Sequence, residues 1–284
     1  NQLDPAKSNP HGSVCKRIQG EHVAKFLIAA IMKTKIGESN VDSSMNWLDD
    51  ISKWSTWDAN NVSKTQIFHQ AIAHLNSGSG VLDVAGGSGH VSMALGMLGV
   101  KSTVVDAREG VGKLPGRDRK IWKKALRRSA LLKSDQEVSV NDYCLPVVPF
   151  VAKRAWFGVR PSGVDATFRH PDQDELPVCD ESSDLLQKSS AIVALHPDEA
   201  TGDIVRLAAC KKVPLVVVPC CVFARLFQDR RISLDSDRIV SSYEDLLLHL
   251  KNQDSTIEET ELPFDGKNTV LWSMFEDSLR MTNN

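Results

Sequence analysis

The sequence predicts an α/β protein in which a mostly parallel, doubly wound sheet carries helices on both faces. From Val81 onward, short apolar runs alternate with segments whose apolar residues repeat at helical spacing, and this alternation is typical of such a sheet. Near the end, two strand-like runs flank a short loop containing Gly266, which predicts an antiparallel pair. A chain of 284 residues is long enough to bury one large core of this kind.

The elements follow in order along the chain. Residues 1–76 hold two helical patterns, and we expect them to form an N-terminal helical cap or extension to a domain of residues 77–284. That domain is predicted to begin with strand "VLDVA", a helix, strand "STVVD" and a basic helix. Residues 138–180 are rich in proline, with one strand expected near 147–156. Strands "AIVAL", "PLVVVPCC", "TIEETEL" and "TVLWSMF" follow, and helices precede the first three of them.

Composition limits the classes of protein to consider. The formal net charge is only −2, so contact with a nucleic acid would require a local basic patch. No apolar run reaches the length of about 18 residues that a membrane-spanning helix needs, so no membrane contact is expected. The six cysteines show no CxxC pair, which predicts reduced thiols in an intracellular protein, cytoplasmic or organellar, rather than a secreted one.

A glycine-rich loop follows the first predicted strand. Its residues Ala85, Gly86, Gly87 and Gly89 come at the carboxyl end of the strand, where open α/β sheets bind their ligands. Glycines let the backbone approach a ligand, and the next helix offers free N–H groups. The loop lacks the GxxxxGK[ST] pattern of ATP-hydrolysing proteins and a complete GxGxxG. A tight turn that binds nothing is the alternative interpretation.

Two aspartates accompany this loop. Asp83 lies inside the first strand, where a carboxylate is costly unless it has a partner. Asp106 ends the second strand and is followed by Ala107, and an acid in this position can hold the two hydroxyls of a ribose.

The stretch "VLDVAGGSGHVSMALGMLG" followed by "TVVDAR" resembles the first two motifs of class I S-adenosylmethionine-dependent methyltransferases. The resemblance implies a seven-stranded Rossmann-like sheet with a terminal antiparallel hairpin and S-adenosyl-L-methionine as the cofactor. Asp83 and the loop would hold the methionine and sugar part, and Asp106 the ribose. Ala85 stands where glycine is more usual. The implied cofactor-binding residues are Asp83, Ala85, Gly86, Gly87, Gly89, Asp106 and Ala107.

Two later strand ends should face the same cleft. The first carries His196, Pro197 and Asp198, without the [DN]PP[YF] motif of enzymes that methylate amines, and the second carries Cys220 and Cys221. This pairing resembles, in part, a subset that includes tRNA 2′-O-methyltransferases, which implies an RNA hydroxyl as the acceptor.

We expect His196 or Asp198 to take the acceptor's proton, and Pro197, Cys220 and Cys221 to line the acceptor pocket. For His196 and the two cysteines, packing is the alternative. No metal site is expected, because the cysteines have no CxxC or HxxxH companion nearby in the sequence.

The helix after the second strand is strongly basic. Lys123, Lys124, Arg127 and Arg128 are candidates for contacts with RNA phosphates, and an ordinary solvated face is the alternative. The sequence therefore favours a methyltransferase that acts on RNA. The first rival is a small-molecule methyltransferase with an N-terminal helical lid, and the second is a catalytically silent binding or scaffold protein with the same fold.

Overall fold

The computed structural model describes residues 13–36, 62–134, 145–158, 176–233 and 237–275. These residues form seven α-helices: α1 (Ser13–Ile36), α2 (Val62–Leu75), α3 (His90–Met97), α4 (Gly116–Ser134), α5 (Asp184–Gln187), α6 (Thr201–Lys211) and α7 (Tyr243–Lys251). They also form nine strands: β1 (Gly80–Val84), β2 (Ser102–Asp106), β3 (Val151–Arg154), β4 (Trp156–Phe157), β5 (Val178–Cys179), β6 (Ser189–Leu195), β7 (Leu215–Val218), β8 (Glu258–Glu261) and β9 (Thr269–Ser273). Much of the predicted N-terminal extension and of the segment 138–180 lies outside the described residues.

Seven of the strands form one sheet in the order β3-β2-β1-β6-β7-β9-β8. The five strands from β3 to β7 in this order run parallel, and β9 runs antiparallel to both β7 and β8. The predicted seven-stranded, mostly parallel sheet is therefore confirmed. The chain adds strands first to one side of β1 and then to the other, so the topological switch point lies between β1 and β6.

Both faces of the inner parallel strands β1, β2, β6 and β7 are buried, as expected when parallel strands are apolar throughout, whereas the edge strands β3 and β8 are exposed. Val81, Val193 and Val216 share one buried core with helices α1, α2 and α3. Their strand neighbours Leu82 and Ile192 point to the other face, into a second core with α6 and α7. This alternation follows from the two-residue period of a strand.

The N-terminal helices contribute to the first of these cores. Leu27, Ile28 and Ile31 of α1 have no exposed surface and belong to the same buried cluster as Val81 of the central strand. The predicted boundary between residues 76 and 77 stays a prediction. None of the described helices is both long and apolar enough to cross a membrane.

A buried polar contact joins α1, α3 and α4 next to the glycine-rich loop. The His90 ring places Nε2 3.2 Å from Asp118 Oδ2, and the Nε atom of Arg17 lies 3.7 Å from the other oxygen of Asp118. Burial lowers the pKa of His90, so the neutral ring is favoured and Nε2–H donates to the carboxylate. His90, the first residue of α3, thus contacts Asp118 of α4, and Asp118 in turn lies near Arg17 of α1.

Candidate functional site

The carboxyl ends of β1, β6 and β7 are followed by strained backbone. Six non-glycine residues of the described chain have a positive φ, and four of them lie here: Ala85 (52°), His196 (53°), Asp198 (51°) and Phe223 (52°). Such conformations cost of order 1–3 kcal/mol each and concentrate at functional sites. The edge of the sheet at the switch point is therefore the best-supported functional region.

The glycine loop, which follows β1, packs closely against the side chain of Asp83 in that strand. A Cβ added at Gly86 would collide with the Asp83 carboxylate, and one at Gly87 would lie 3.0 Å from an Arg108 nitrogen. Gly87 and Gly89 adopt φ values of 53° and 86°, which glycine reaches without strain. Ala85 also adopts the left-handed region, which strains the backbone of a residue that has a Cβ. Glycine, the more usual residue at this position of the motif, would avoid that strain.

Asp83 is completely buried. Its Oδ2 accepts a hydrogen bond of 3.1 Å from the Ser92 N–H in α3, while Oδ1 is buried with no hydrogen-bond partner in the described structure. Burial raises the pKa of Asp83 from 3.8 to about 7. Buried carboxylate oxygens without a hydrogen-bond partner are rare in folded proteins, and the raised pKa indicates that a proton can occupy this position.

Asp106 at the end of β2 is held by several donors. Its Oδ2 accepts from the Gly87 N–H at 2.9 Å, so it fixes the glycine loop directly. Arg108 approaches both carboxylate oxygens, with Nε 2.9 Å from Oδ1 and a terminal nitrogen 2.6 Å from Oδ2. The neighbouring Ala107 carbonyl accepts from Arg154 Nε at 3.1 Å.

Sequence reasoning missed the role of Arg108. Its side chain is 59% exposed, yet it folds back onto both oxygens of the Asp106 carboxylate. The hydrogen bond to Asp106 raises the pKa of Arg108, and the charge of Asp198 contributes in the same direction. The sequence did contain a signal for this contact, because an arginine two residues after an aspartate at a strand end can fold back onto the carboxylate.

The ends of β6 and β7 lie side by side. The His196 N–H donates to the Val218 carbonyl at 3.0 Å, which continues the parallel pairing past the last strand residue. Pro197 is buried, and Asp198 is exposed beside it. The Cys220 thiol, from the end of β7, lies 3.4 Å from Asp198 Oδ1, and burial raises its pKa.

Asp198, Cys220 and Cys221 therefore form one group. A ligand atom from each lies within 4.8 Å of those of the other two. The sequence argument against a metal considered only companions close in sequence, whereas the third side chain comes from a strand end 22 residues earlier. Sequence reasoning assigned these residues to one pocket but did not place them in contact.

The predicted RNA-contact residues lie elsewhere, on α4. Lys123, Lys124, Arg127 and Arg128 are exposed, while the opposite face buries Trp122 against Met93 and Leu114. The helix is thus amphipathic, with a cationic outer face. Among the described residues none of the four takes part in a salt bridge, so their charges are available to a partner.

The strand order and the switch-point site define an α/β protein with a Rossmann-like sheet. No protein-family model matches the chain, and no curated protein is significantly similar to it.

Proposed function

We propose that the chain is an S-adenosylmethionine-dependent methyltransferase that acts on RNA, at a hydroxyl of a tRNA-like acceptor. The observation that carries this proposal is the acid–glycine–acid arrangement at the switch point. Asp83 lies beneath the loop with a free oxygen, and the Gly87 N–H joins the loop to Asp106. Ligands of open α/β sheets bind at this position.

The residues present fit the cofactor that the motif implies. A Cβ at Gly86 would collide with the Asp83 carboxylate, so glycine at this position lets the loop pack directly on the acid. The loop leads into the N-terminus of α3, whose free N–H groups favour a carboxylate. Asp83, Ala85, Gly86, Gly87 and Gly89 would hold the methionine part, and Asp106 with Ala107 the ribose.

The antiparallel strands β8 and β9 at one edge of the sheet also support the methyltransferase proposal. β9 lies between β7 and β8 and is antiparallel to both, which agrees with the terminal hairpin that the resemblance implies. The order of the other five strands follows the doubly wound pattern.

S-adenosylmethionine would supply a methyl group that its sulfonium already activates. The chain must then orient the acceptor and remove a proton from its hydroxyl. His196 and Asp198 are suited to this task, because the left-handed backbone at both residues turns the chain sharply at the end of β6. Asp198 is exposed, so its carboxylate can reach an acceptor, and Pro197, Cys220 and Cys221 would border the acceptor pocket.

The outer face of α4 supports RNA as the acceptor. Its four exposed cations occur at positions i, i+1, i+4 and i+5 and form one continuous stripe, which suits a phosphate backbone. A small-molecule acceptor, with residues 1–76 as a lid, is the rival that this stripe disfavours.

A catalytically silent binding or scaffold protein is a second candidate, and one observation favours it. Arg108 already binds both oxygens of Asp106, so a ribose has to displace a bidentate ion pair. In an active enzyme Arg108 moves aside when the cofactor binds, whereas in a silent protein it keeps the position closed.

The decisive experiment has two stages. Calorimetry with purified protein and S-adenosylmethionine tests binding, and transfer of a labelled methyl group to total RNA or to a low-mass extract tests the acceptor. Cofactor binding with label in RNA is expected. No detectable cofactor binding would overturn the methyltransferase proposal, and label only in the low-mass extract would overturn the RNA acceptor.

A further inference from the structure

The group formed by Asp198, Cys220 and Cys221 combines two thiols with one carboxylate. Cys220 and Cys221 are consecutive residues after β7, and Asp198 follows β6, its parallel neighbour. All three ligand atoms lie within 4.8 Å of one another. Sulfur with one hard oxygen is a donor set that suits zinc and disfavours magnesium or calcium, which prefer oxygen alone.

The spacing of one pair, Cys220 with Asp198, agrees with a tetrahedral ion. With zinc bonds of about 2.3 Å to sulfur and about 2.1 Å to oxygen, a sulfur and an oxygen ligand of a tetrahedron lie about 3.6 Å apart. The Cys220 sulfur and Asp198 Oδ1 are separated by 3.4 Å. An ion can therefore join this pair with almost no movement of either side chain.

Neighbouring side chains hold the backbone around Asp198 and Cys220 in place. The Thr201 hydroxyl donates to the Asp198 carbonyl at 2.6 Å and secures the left-handed turn that presents the carboxylate. The Tyr243 hydroxyl donates to the Pro219 carbonyl at 3.2 Å, directly before Cys220. Supporting hydrogen bonds of this type orient the ligands of metal sites.

We propose that Asp198, Cys220 and Cys221 form a zinc site with three protein ligands and an open fourth position. Structural zinc sites are closed by four protein ligands, whereas three ligands leave a place for water or a substrate atom. Asp198 and Cys221 are exposed, so the fourth position faces solvent. The site goes beyond the proposed methyl transfer and places a Lewis acid where the acceptor's oxygen would bind. With Asp198 bound to zinc, His196 is the residue left to take the acceptor's proton.

The test uses cobalt as a spectroscopic substitute for zinc. Reduced, metal-free full-length protein is titrated with Co²⁺, and thiolate binding is recorded as sulfur-to-cobalt charge-transfer absorption in the near ultraviolet. We expect saturation at one equivalent, a visible spectrum of the tetrahedral type, and loss of both when zinc is added. Wild-type protein without a stoichiometric charge-transfer band would overturn the proposal.

Variants identify the ligands. Cys220→Ser and Cys221→Ser should each lose about half of the charge-transfer intensity and weaken zinc binding more than about tenfold. Cys210→Ser is the matched control, because Cys210 is an exposed free thiol on α6, and it should keep the wild-type spectrum. If either site variant keeps that spectrum while circular dichroism shows it folded, the ion is bound elsewhere and the assignment is wrong.

The result is independent of the cofactor. Asp106→Ala should leave the cobalt spectrum unchanged, since Asp106 contributes no ligand. Metal binding without cofactor binding would refute only the methyltransferase proposal, and cofactor binding without metal binding would refute only the zinc site.

Discussion

At the residue scale, the pairing of Arg108 with Asp106 bears directly on the proposed ribose-binding position. The two-point contact keeps the carboxylate oriented toward the loop, but it also satisfies the oxygens that a ribose needs. Because the Arg108 side chain is more than half exposed, the ion pair is screened by solvent and is worth at most about 1 kcal/mol. A ligand with two hydroxyls can therefore displace it.

Removal of Asp106 and removal of Arg108 should therefore affect S-adenosylmethionine affinity differently. Asp106→Ala should weaken S-adenosylmethionine binding by roughly 1–3 kcal/mol, the range for hydrogen bonds with a charged group. Arg108→Ala should leave the affinity unchanged or raise it by up to about fivefold, because no ion pair of about 1 kcal/mol must then be broken. Calorimetry measures both, with Glu109→Ala, an exposed acid beside them, as the control. Weaker binding in Arg108→Ala would show that the guanidinium contacts the ligand instead of competing with it.

Asp83 makes stability depend on pH. Its pKa of about 7 in the folded protein lies above the ordinary value of 3.8, so between these values the folded state holds a proton that the unfolded chain has lost. The free energy of unfolding therefore falls as pH rises from about 4 to 7 and is lowest above 7, by up to about 4 kcal/mol for this group.

Asp83→Asn should remove this part of the pH dependence. In urea unfolding the variant should gain stability relative to wild type on going from pH 5 to pH 8, because the neutral amide has no proton to lose. Glu109→Gln, at an exposed carboxylate, should follow the wild-type curve and serves as control. A constant difference between Asp83→Asn and wild type at all pH values would mean that Asp83 is ionised throughout this range.

At the scale of elements, the end of β6 is proposed to remove the acceptor's proton. His196→Ala and Asp198→Asn should both lower turnover, while cofactor affinity stays near that of wild type because both residues are assigned to the acceptor and not to the cofactor. His196→Ala should in addition retain the cobalt spectrum that Asp198→Asn loses. Methyl-transfer assays with calorimetry check the first expectation, and full turnover in both variants would place proton removal elsewhere.

The outer face of α4 decides between RNA and a small-molecule acceptor. Phosphate contacts release counterions, so RNA affinity should fall steeply as salt rises. Reversing Lys123, Lys124, Arg127 and Arg128 to Glu should reduce the slope of log affinity against log salt by roughly 3, at about 0.7 per single-strand phosphate contact. Cofactor binding should not change, because these side chains point away from the core.

A control for this experiment changes charge outside α4. Lys188→Glu with Lys211→Glu alters two exposed lysines and should retain the wild-type salt slope. If the α4 variant and wild type have equal slopes, or if wild type binds no RNA at low salt, the RNA acceptor is refuted and the small-molecule acceptor takes its place.

Local sequence patterns predicted these elements to different degrees. The order of strands and helices after Val81 follows from apolar spacing, and the glycine loop with Asp83 and Asp106 from its motif. The contact between Asp198 and Cys220 was not predictable in this way, because it depends on β6 and β7 being neighbours and on a left-handed turn at a non-glycine residue. Local propensity does not favour such a turn, so only the packed structure reveals it.

At the scale of the whole molecule, the N-terminal helix packs beside the candidate functional site. Apolar periodicity predicted that α1 is a helix, but its partner surface is a tertiary property that no local pattern contains. α1 buries Leu27 and Ile31 in the core of the sheet and, through Arg17, His90 and Asp118, meets the start of α3. The glycine loop therefore rests on a helix about 70 residues earlier in the chain.

Gly20 lies at a close approach between α1 and α3. A Cβ there would lie 2.9 Å from the carbonyl carbon of His90 and 3.0 Å from the Val91 nitrogen, and backbone atoms cannot move aside cheaply. Gly20→Ala should therefore destabilise the protein by roughly 1–3 kcal/mol, the usual cost of overpacking, although alanine is the better helix former by about 1 kcal/mol. Because α3 begins directly after the glycine loop, cofactor affinity should fall as well.

Gly116→Ala provides the matched control for this prediction. Gly116 also lies in a helix, at the start of α4, and a Cβ there meets nothing within 4 Å, so the same substitution should leave stability unchanged within about 0.5 kcal/mol. Urea unfolding and calorimetry with S-adenosylmethionine compare the two variants. If Gly20→Ala is as stable as Gly116→Ala and binds the cofactor normally, α1 does not press on α3 and the loop is supported from within residues 77–284 alone.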